Sequence, residues 1–161
     1  MSNPKYRIAV FASGNGTNAE EIFKYFYQHD SIEVGLVLSN NEQAYVLQRA
    51  SQYSIPFKTF TREQWKMSNE VITWLKQENI THVVLAGFMW LIPQYLVDAF
   101  PAKIINIHPA LLPKFGGKGM YGMNVHNAVK AAGETETGIT IHLVNEKYDE
   151  GEIILQARCA V

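Results

Sequence analysis

Apolar positions along this chain change period several times. In "RIAVFAS" (residues 7–13) they run consecutively, as in a strand covered on both faces, whereas "NAEEIFKYFYQHD" (18–30) places Ile22, Phe23, Phe26 and Tyr27 on one helical stripe. The alternation continues with a strand in "IEVGLVLSN" (32–40), a helix in "EQAYVLQRASQY" (42–53), a short strand in "IPFKTF" (55–60) and a long helix in "TREQWKMSNEVITWLKQEN" (61–79). "HVVLAGF" (82–88), a short helix beginning near Pro93 and "KIINIHP" (103–109) extend it, and "MNVHNAVKAA" (123–132) reads as a further helix. Strands separated by helices of this length predict parallel crossovers. The end of the chain differs: "GITIHLV" (138–144) and "EIILQARCAV" (152–161) are joined by "NEKYDEG", which leaves no room for a helix and predicts antiparallel pairing. The expected class is α/β, a Rossmann-like, mostly parallel twisted sheet with helices on both faces and a C-terminal antiparallel hairpin.

Composition narrows this picture. The chain has 161 residues, 47% of them hydrophobic, which suffices for one well-buried core and predicts a single domain over 1–161. Fourteen basic and fifteen acidic residues give a net charge of −1, so there is no general attraction to nucleic acid or to an anionic membrane, and any anion must be bound locally. The single Cys159 excludes an internal disulfide, and "MSNPKYRIAV" lacks the apolar core of a signal peptide. No apolar run reaches the roughly 18 residues of a membrane span. A cytoplasmic setting is expected.

Open α/β sheets bind ligands at the carboxyl ends of their strands, where "ASGNGTNAEE", "LAGFMWLIP" and "INIHPALLP" fall. In the first, Thr17 and Glu20 match a capping box, so the helix is expected to start at Thr17 with Gly14 and Gly16 just before it. Free amides and the helix dipole there favour an anion such as a phosphate, although an ordinary tight turn has the same composition and Glu20 would sit close to the charge. Gly14, Gly16 and Ala19 also fit a loose dinucleotide fingerprint. The second strand, however, ends in Ser39, Asn40 and Asn41 in place of a ribose-binding carboxylate, which favours one phosphate over a nicotinamide dinucleotide.

In "KIINIHPALLP" (103–113), Asn106 and His108 lie two apart, so they share one strand face while Ile105 and Ile107 take the other. An amide can hold a developing oxyanion and an imidazole can move a proton, a pairing suited to acyl transfer. His29 and His82 lie at element ends away from the crevice, His126 sits in a helix, and His142 alternates with Thr140 and Val144 on a strand face. Zinc would need three or four ligands to converge, and no paired-cysteine or His-Glu-x-x-His spacing supplies them, so no metal is expected. The turn "NEKYDEGEII" carries Glu146, Asp149, Glu150 and Glu152. It reads either as a solvated acidic turn or as the source of a carboxylate beside His108, which would favour the imidazolium.

In order and spacing, "SGNGTN", "LAGFM", "NIHPALLP", "GITIHLV" and "YDEGEIILQ" resemble the phosphoribosylglycinamide formyltransferase family, folate-dependent enzymes of purine synthesis, over the whole chain. Segments like "NIHPALLP" also mark methionyl-tRNA formyltransferase and formyltetrahydrofolate hydrolase, whereas "SGNGTN" is the sharper sign. Relative to the family pattern, Trp90 stands where many relatives carry arginine, and "FGGKGMYGMNVH" is longer than the corresponding loop of some relatives, its glycines, from Gly116 to Gly122, suiting a mobile flap and a flexible surface loop equally. Family members usually continue past the "LQARCAV" strand, so the 161 residues are expected to lack the family's C-terminal segment.

The resemblance implies a catalytic set of Asn106, His108 and Asp149. It places the substrate phosphate on Gly16, Thr17, Asn18, Ala19 and Glu20, with Gly14 and Asn15 completing that loop. A folate site would use Arg62, the segment Met89, Trp90, Leu91 and Ile92, Asn106, and the turn Asn145, Glu146, Lys147, Tyr148 and Asp149. Arg62 also follows Thr61 in a second capping-box pattern with Gln64. The implied reaction is direct formyl transfer from 10-formyltetrahydrofolate, as cosubstrate, to the amine of glycinamide ribonucleotide, by a monomer or homodimer without nucleic-acid or membrane partners. Two alternatives stay open: a formyltetrahydrofolate hydrolase using water as nucleophile, and a folate-binding form disabled by the missing segment.

Overall fold

A computed structural model describes residues 4–67 and 69–161. The chain divides into two compact units, Met1–Phe88 and Met89–Val161.

In the first unit, β1 (Tyr6–Phe11), β2 (Ile32–Ser39), β3 (Phe57–Thr59) and β4 (His82–Leu85) pair in parallel in the order β3-β2-β1-β4. Their connections carry α1 (Thr17–Phe26), α2 (Tyr45–Gln52), α3 (Arg62–Met67) and α4 (Asn69–Gln77). The consecutive apolar run of β1 is explained by cover on both faces. Ile8, Val10 and Ala12 pack with Ala19, Phe23, Val46, Leu47 and Ala50 of α1 and α2. Phe11 points the opposite way, into a ring cluster with Phe60, Trp65 and Phe88, in which Phe60 and Trp65 stack at 4.9 Å.

In the second unit, α5 (Gln94–Ala99) follows Pro93, and β5 (Ile104–His108), β6 (Glu136–Leu143) and β7 (Ile153–Ala160) form an antiparallel set in that order. Helix α6 (Met123–Ala131) lies between β5 and β6 in sequence and buries Val125 and Val129. The hairpin expected from "GITIHLV" and "EIILQARCAV" is present, and β5 joins it antiparallel.

Two local readings need correction or qualification. The capping box expected at Thr17 and Glu20 does not form: Gly16 is the N-cap, at φ 78°, and the Glu20 side chain pairs with Arg49 instead. A capping box does form at the start of α3, where Thr61 Oγ1 accepts from the Gln64 amide at 3.2 Å and Gln64 Oε1 accepts from the Thr61 amide at 2.8 Å. The long helix read over 61–79 is described as α3 and α4, and Ser68 between them lies outside the described residues.

Candidate active site

The face shared by Asn106 and His108 meets β6 in a fixed register, with Asn106 opposite His142 and His108 opposite Thr140. Because directly opposed residues share a face, this brings a second imidazole to the pair. The register shift between Ile141 and His142 is a bulge against β7 at the position that aims His142. His108 is 3% exposed and His142 2%.

Backbone carbonyls fix both rings. The Nδ1 of His142 is 2.9 Å from the Leu143 carbonyl, which can only accept, so Nδ1 carries the proton and Nε2 is left to accept from Asn106 Nδ2 at 3.0 Å. That pairing orients the Asn106 amide with one N–H on His142 and one free. On His108, Nε2–H donates to the Phe115 carbonyl at 2.8 Å, turning Nδ1 towards Asp149 Oδ1 at 3.5 Å. Asp149 Oδ1 is also 3.6 Å from His142 Nε2. Both separations exceed a firm hydrogen bond, so the carboxylate stands between two ring nitrogens without a short bond to either.

Asp149 comes from the turn between β6 and β7 and adopts φ 54°. Its Oδ2 accepts from the Gly117 amide at 2.9 Å. Burial is the largest single influence on this carboxyl and opposes its ionisation. The His142 ring beside it, the Gly117 amide and the His108 ring together outweigh burial and hold the carboxyl below its ordinary range. Of the acidic residues in the turn, Glu150 faces Lys147 at 3.8 Å on the surface, and Asn145 Oδ1 accepts from the Lys147 amide at 2.9 Å. Glu146 is exposed, and Tyr148 half-buried.

In the first unit the glycine loop forms a separate constellation. The first intrahelical bond of α1 runs from Glu20 N–H to the Gly16 carbonyl at 2.9 Å, so the amides of Thr17, Asn18 and Ala19 have no acceptor within the helix. Gly14 and Asn15 are exposed, and the Gly14 carbonyl is tied to the Val46 amide at 3.1 Å. Gly16 is required here: a Cβ on it would lie 2.4 Å from Val46 Cγ2, in a left-handed conformation that side chains disfavour. Arg49 of α2 grips the loop. Its Nε donates to the Asn15 carbonyl at 2.8 Å, Nη2 donates to Asn15 Oδ1 at 2.6 Å, and Nη1 pairs with Glu20. Glu20 is therefore neutralised, which meets the objection its charge raised against an anion at this helix end.

Arg62 opens α3 and is exposed, whereas in the segment before α5 Met89 and Leu91 are exposed, Trp90 half-buried and Ile92 buried. His29 accepts amides from Ser31 and Ile32, and His82 bonds Thr81, so both have local structural partners. The sequence reading undervalued His142, did not single out Arg49, and took Phe115 and Gly117 only as part of a glycine-rich loop, whereas their backbone atoms bond His108 and Asp149. Among the described residues no group of three or more His, Cys, Asp or Glu is placed to hold a metal ion, and no helix is long and apolar enough to cross a membrane.

Residues 6–161 match the family described as formyl transferase. The chain is 36% identical to the phosphoribosylglycinamide formyltransferase of Haemophilus influenzae over 160 residues, covering 96% of this chain and 73% of that one. It is 40% identical to the chloroplastic phosphoribosylglycinamide formyltransferase of Arabidopsis thaliana over 161 residues, 96% of this chain but only 55% of the plant protein's length. The crystal structure of phosphoribosylglycinamide formyltransferase from Anaplasma phagocytophilum superposes with a TM-score of 0.88 at 36% identity, over 98% of this chain and 73% of that one.

Proposed function

The chain belongs to the formyl transferase family, and from that premise we propose that it moves a formyl group from 10-formyltetrahydrofolate to the amine of 5-phosphoribosylglycinamide. The observation that carries this reading is the convergence of Asn106, His108, His142 and Asp149 on one buried polar cluster. The amine nitrogen attacks the formyl carbon, a new C–N bond forms, and the carbonyl oxygen becomes an oxyanion. Asn106 has one N–H free of its bond to His142 and offers it to that oxyanion, with the His108 ring beside Asp149 adding positive charge in its imidazolium form. Collapse breaks the bond between the formyl carbon and the folate nitrogen. Asp149, held ionised, takes the proton released by the attacking ammonium and, with His108, returns it to the departing nitrogen.

The glycine loop supplies what this reaction needs for its second substrate. The amides of Thr17, Asn18 and Ala19 at the positive end of α1 suit the phosphate of the ribonucleotide, and Arg49 holds Asn15 in place from behind. Arg62, Met89, Trp90, Leu91, Ile92 and the turn from Asn145 to Asp149 are proposed to hold the folate, with Met89 and Leu91 offering exposed apolar surface to a ring system. No step requires a metal.

The test is a deformylation assay with and without the ribonucleotide. Loss of 10-formyltetrahydrofolate that depends on the ribonucleotide and yields its formyl derivative supports transfer. Free formate released at the same rate without the ribonucleotide would point to a hydrolase, and no turnover with either would remove the enzymatic reading.

A further inference from the structure

Both members of the acid–base pair are held by main chain. The Phe115 carbonyl accepts His108 Nε2–H, and the Gly117 amide donates to Asp149 Oδ2. Phe115 adopts φ 57° and Gly117 φ 100°. A left-handed phenylalanine is strained and persists only where its surroundings enforce it. Something outside residues 115–117 must therefore fix this strap.

That fixture lies immediately before it. Thr140, opposite His108, is completely buried. Its hydroxyl donates to the Ala110 carbonyl at 2.7 Å and accepts from the Leu112 amide at 3.0 Å and from Gln156 Nε2 at 3.0 Å, which uses its donor and both acceptor sites. Gln156, paired with Thr140 across β6 and β7, also donates Nε2–H to the Leu112 carbonyl at 2.9 Å. Leu112 is thus bound through both its amide and its carbonyl, three residues before the carbonyl that orients His108.

We infer that Gln156 is a positioning residue for the acid–base pair, acting with Thr140 through Leu112 on the main chain at Phe115 to Gly117. The rate consequence rests on the formyl-transfer reading, whereas the consequence for the His108 ring does not. With the tie at Leu112 released, the Phe115 carbonyl no longer holds Nε2–H. The neutral ring then divides its proton between its two nitrogens, and the near-attack geometry is lost.

The experiment compares wild type with Gln156→Met, Thr140→Val and Thr140→Ser, confirming folding by circular dichroism. Two readouts are taken: kcat with KM for both substrates, and 15N shifts of the His108 ring in alkaline buffer. Gln156→Met is expected to lower kcat by roughly 10- to 100-fold, the scale of a misplacement near 1 Å, with KM little changed. Its His108 spectrum should move from protonation at Nε2 alone to a mixture. Thr140→Val should do the same, and Thr140→Ser, which keeps the hydroxyl, should stay near wild type in both. A folded Gln156→Met with wild-type kcat and an unchanged His108 spectrum overturns the inference, as does a Thr140→Ser variant as impaired as Thr140→Val. If wild type itself transfers no formyl group, the proposed function fails and the ring spectra alone decide the positioning role.

Discussion

Replacing Asn106 by alanine separates two jobs that the structure gives to one amide. The first is chemical: the N–H not bonded to His142 is offered to the oxyanion, and losing one such donor lowers kcat by roughly 10²- to 10³-fold. The second is structural. Asn106 Nδ2 donates to His142 Nε2 at 3.0 Å, and His142 is 2% exposed, so truncation strands a buried acceptor at a cost of about 1–3 kcal/mol. For a chain of this length each kcal/mol moves the melting temperature by about 2–4 °C, giving an expected fall of roughly 2–12 °C. The assay is steady-state transfer at saturating substrates beside a thermal melt of Asn106→Ala, His142→Phe and the double variant. In the double variant the stability penalty of Asn106→Ala should shrink, because its buried partner is already gone, while its penalty on kcat persists. A folded Asn106→Ala with wild-type kcat would refute the oxyanion role. Strictly additive melting shifts would refute the tie to His142.

The remaining expectations concern charge and the glycine loop. Asp149 has a folded-state carboxyl held below its ordinary value of 3.8, so it adds stability above that pH and loses it as the pH falls through the depressed value. The difference in melting temperature between wild type and Asp149→Asn, measured from pH 7 downwards, should therefore shrink below about pH 4; asparagine tolerates φ 54° and adds no strain of its own. Gly16→Val should cost stability on the order of 1–3 kcal/mol by calorimetry and raise KM for the ribonucleotide while sparing the folate donor; equal loss for both substrates would count against the loop's assignment. Arg49→Met frees Asn15 and exposes the charge of Glu20, so KM for the ribonucleotide should rise about tenfold, the effect of losing near 1.4 kcal/mol, with kcat little changed.

The alternation of strand and helix was legible because the period of apolar residues reports which faces are covered. Asn106 and His108 could be placed on one face because side-chain direction in a strand is fixed by spacing. His142 could not be ranked in this way, since its role depends on which residue of β5 it opposes and on a bulge against β7, and neither is encoded in local pattern. The failed capping box at Thr17 has the same origin. Glu20 had the correct spacing to cap its own helix, but an arginine 29 residues away offered a charged partner, and the tertiary contact won. Thr61 and Gln64 met no such competitor, and there the local pattern held. Phe115 and Gly117 act through backbone atoms, which every residue carries, so nothing in their side chains announced them.

The pairing of β1 with β4 bears on how the molecule assembles. The Arg7 amide is bonded to a side chain 74 residues further on, whereas the strands of the β6–β7 hairpin meet across a short turn. Closing a loop of that size in place of one of roughly ten residues costs about 2 kcal/mol more in chain entropy. Sequence-distant pairing of this kind slows folding, and local pairing hastens it. The short turn favours early pairing of the hairpin that delivers His142 and Asp149, whereas β1, with the glycine loop at its end, gains β4 as a neighbour only after the chain has been synthesised as far as Leu85.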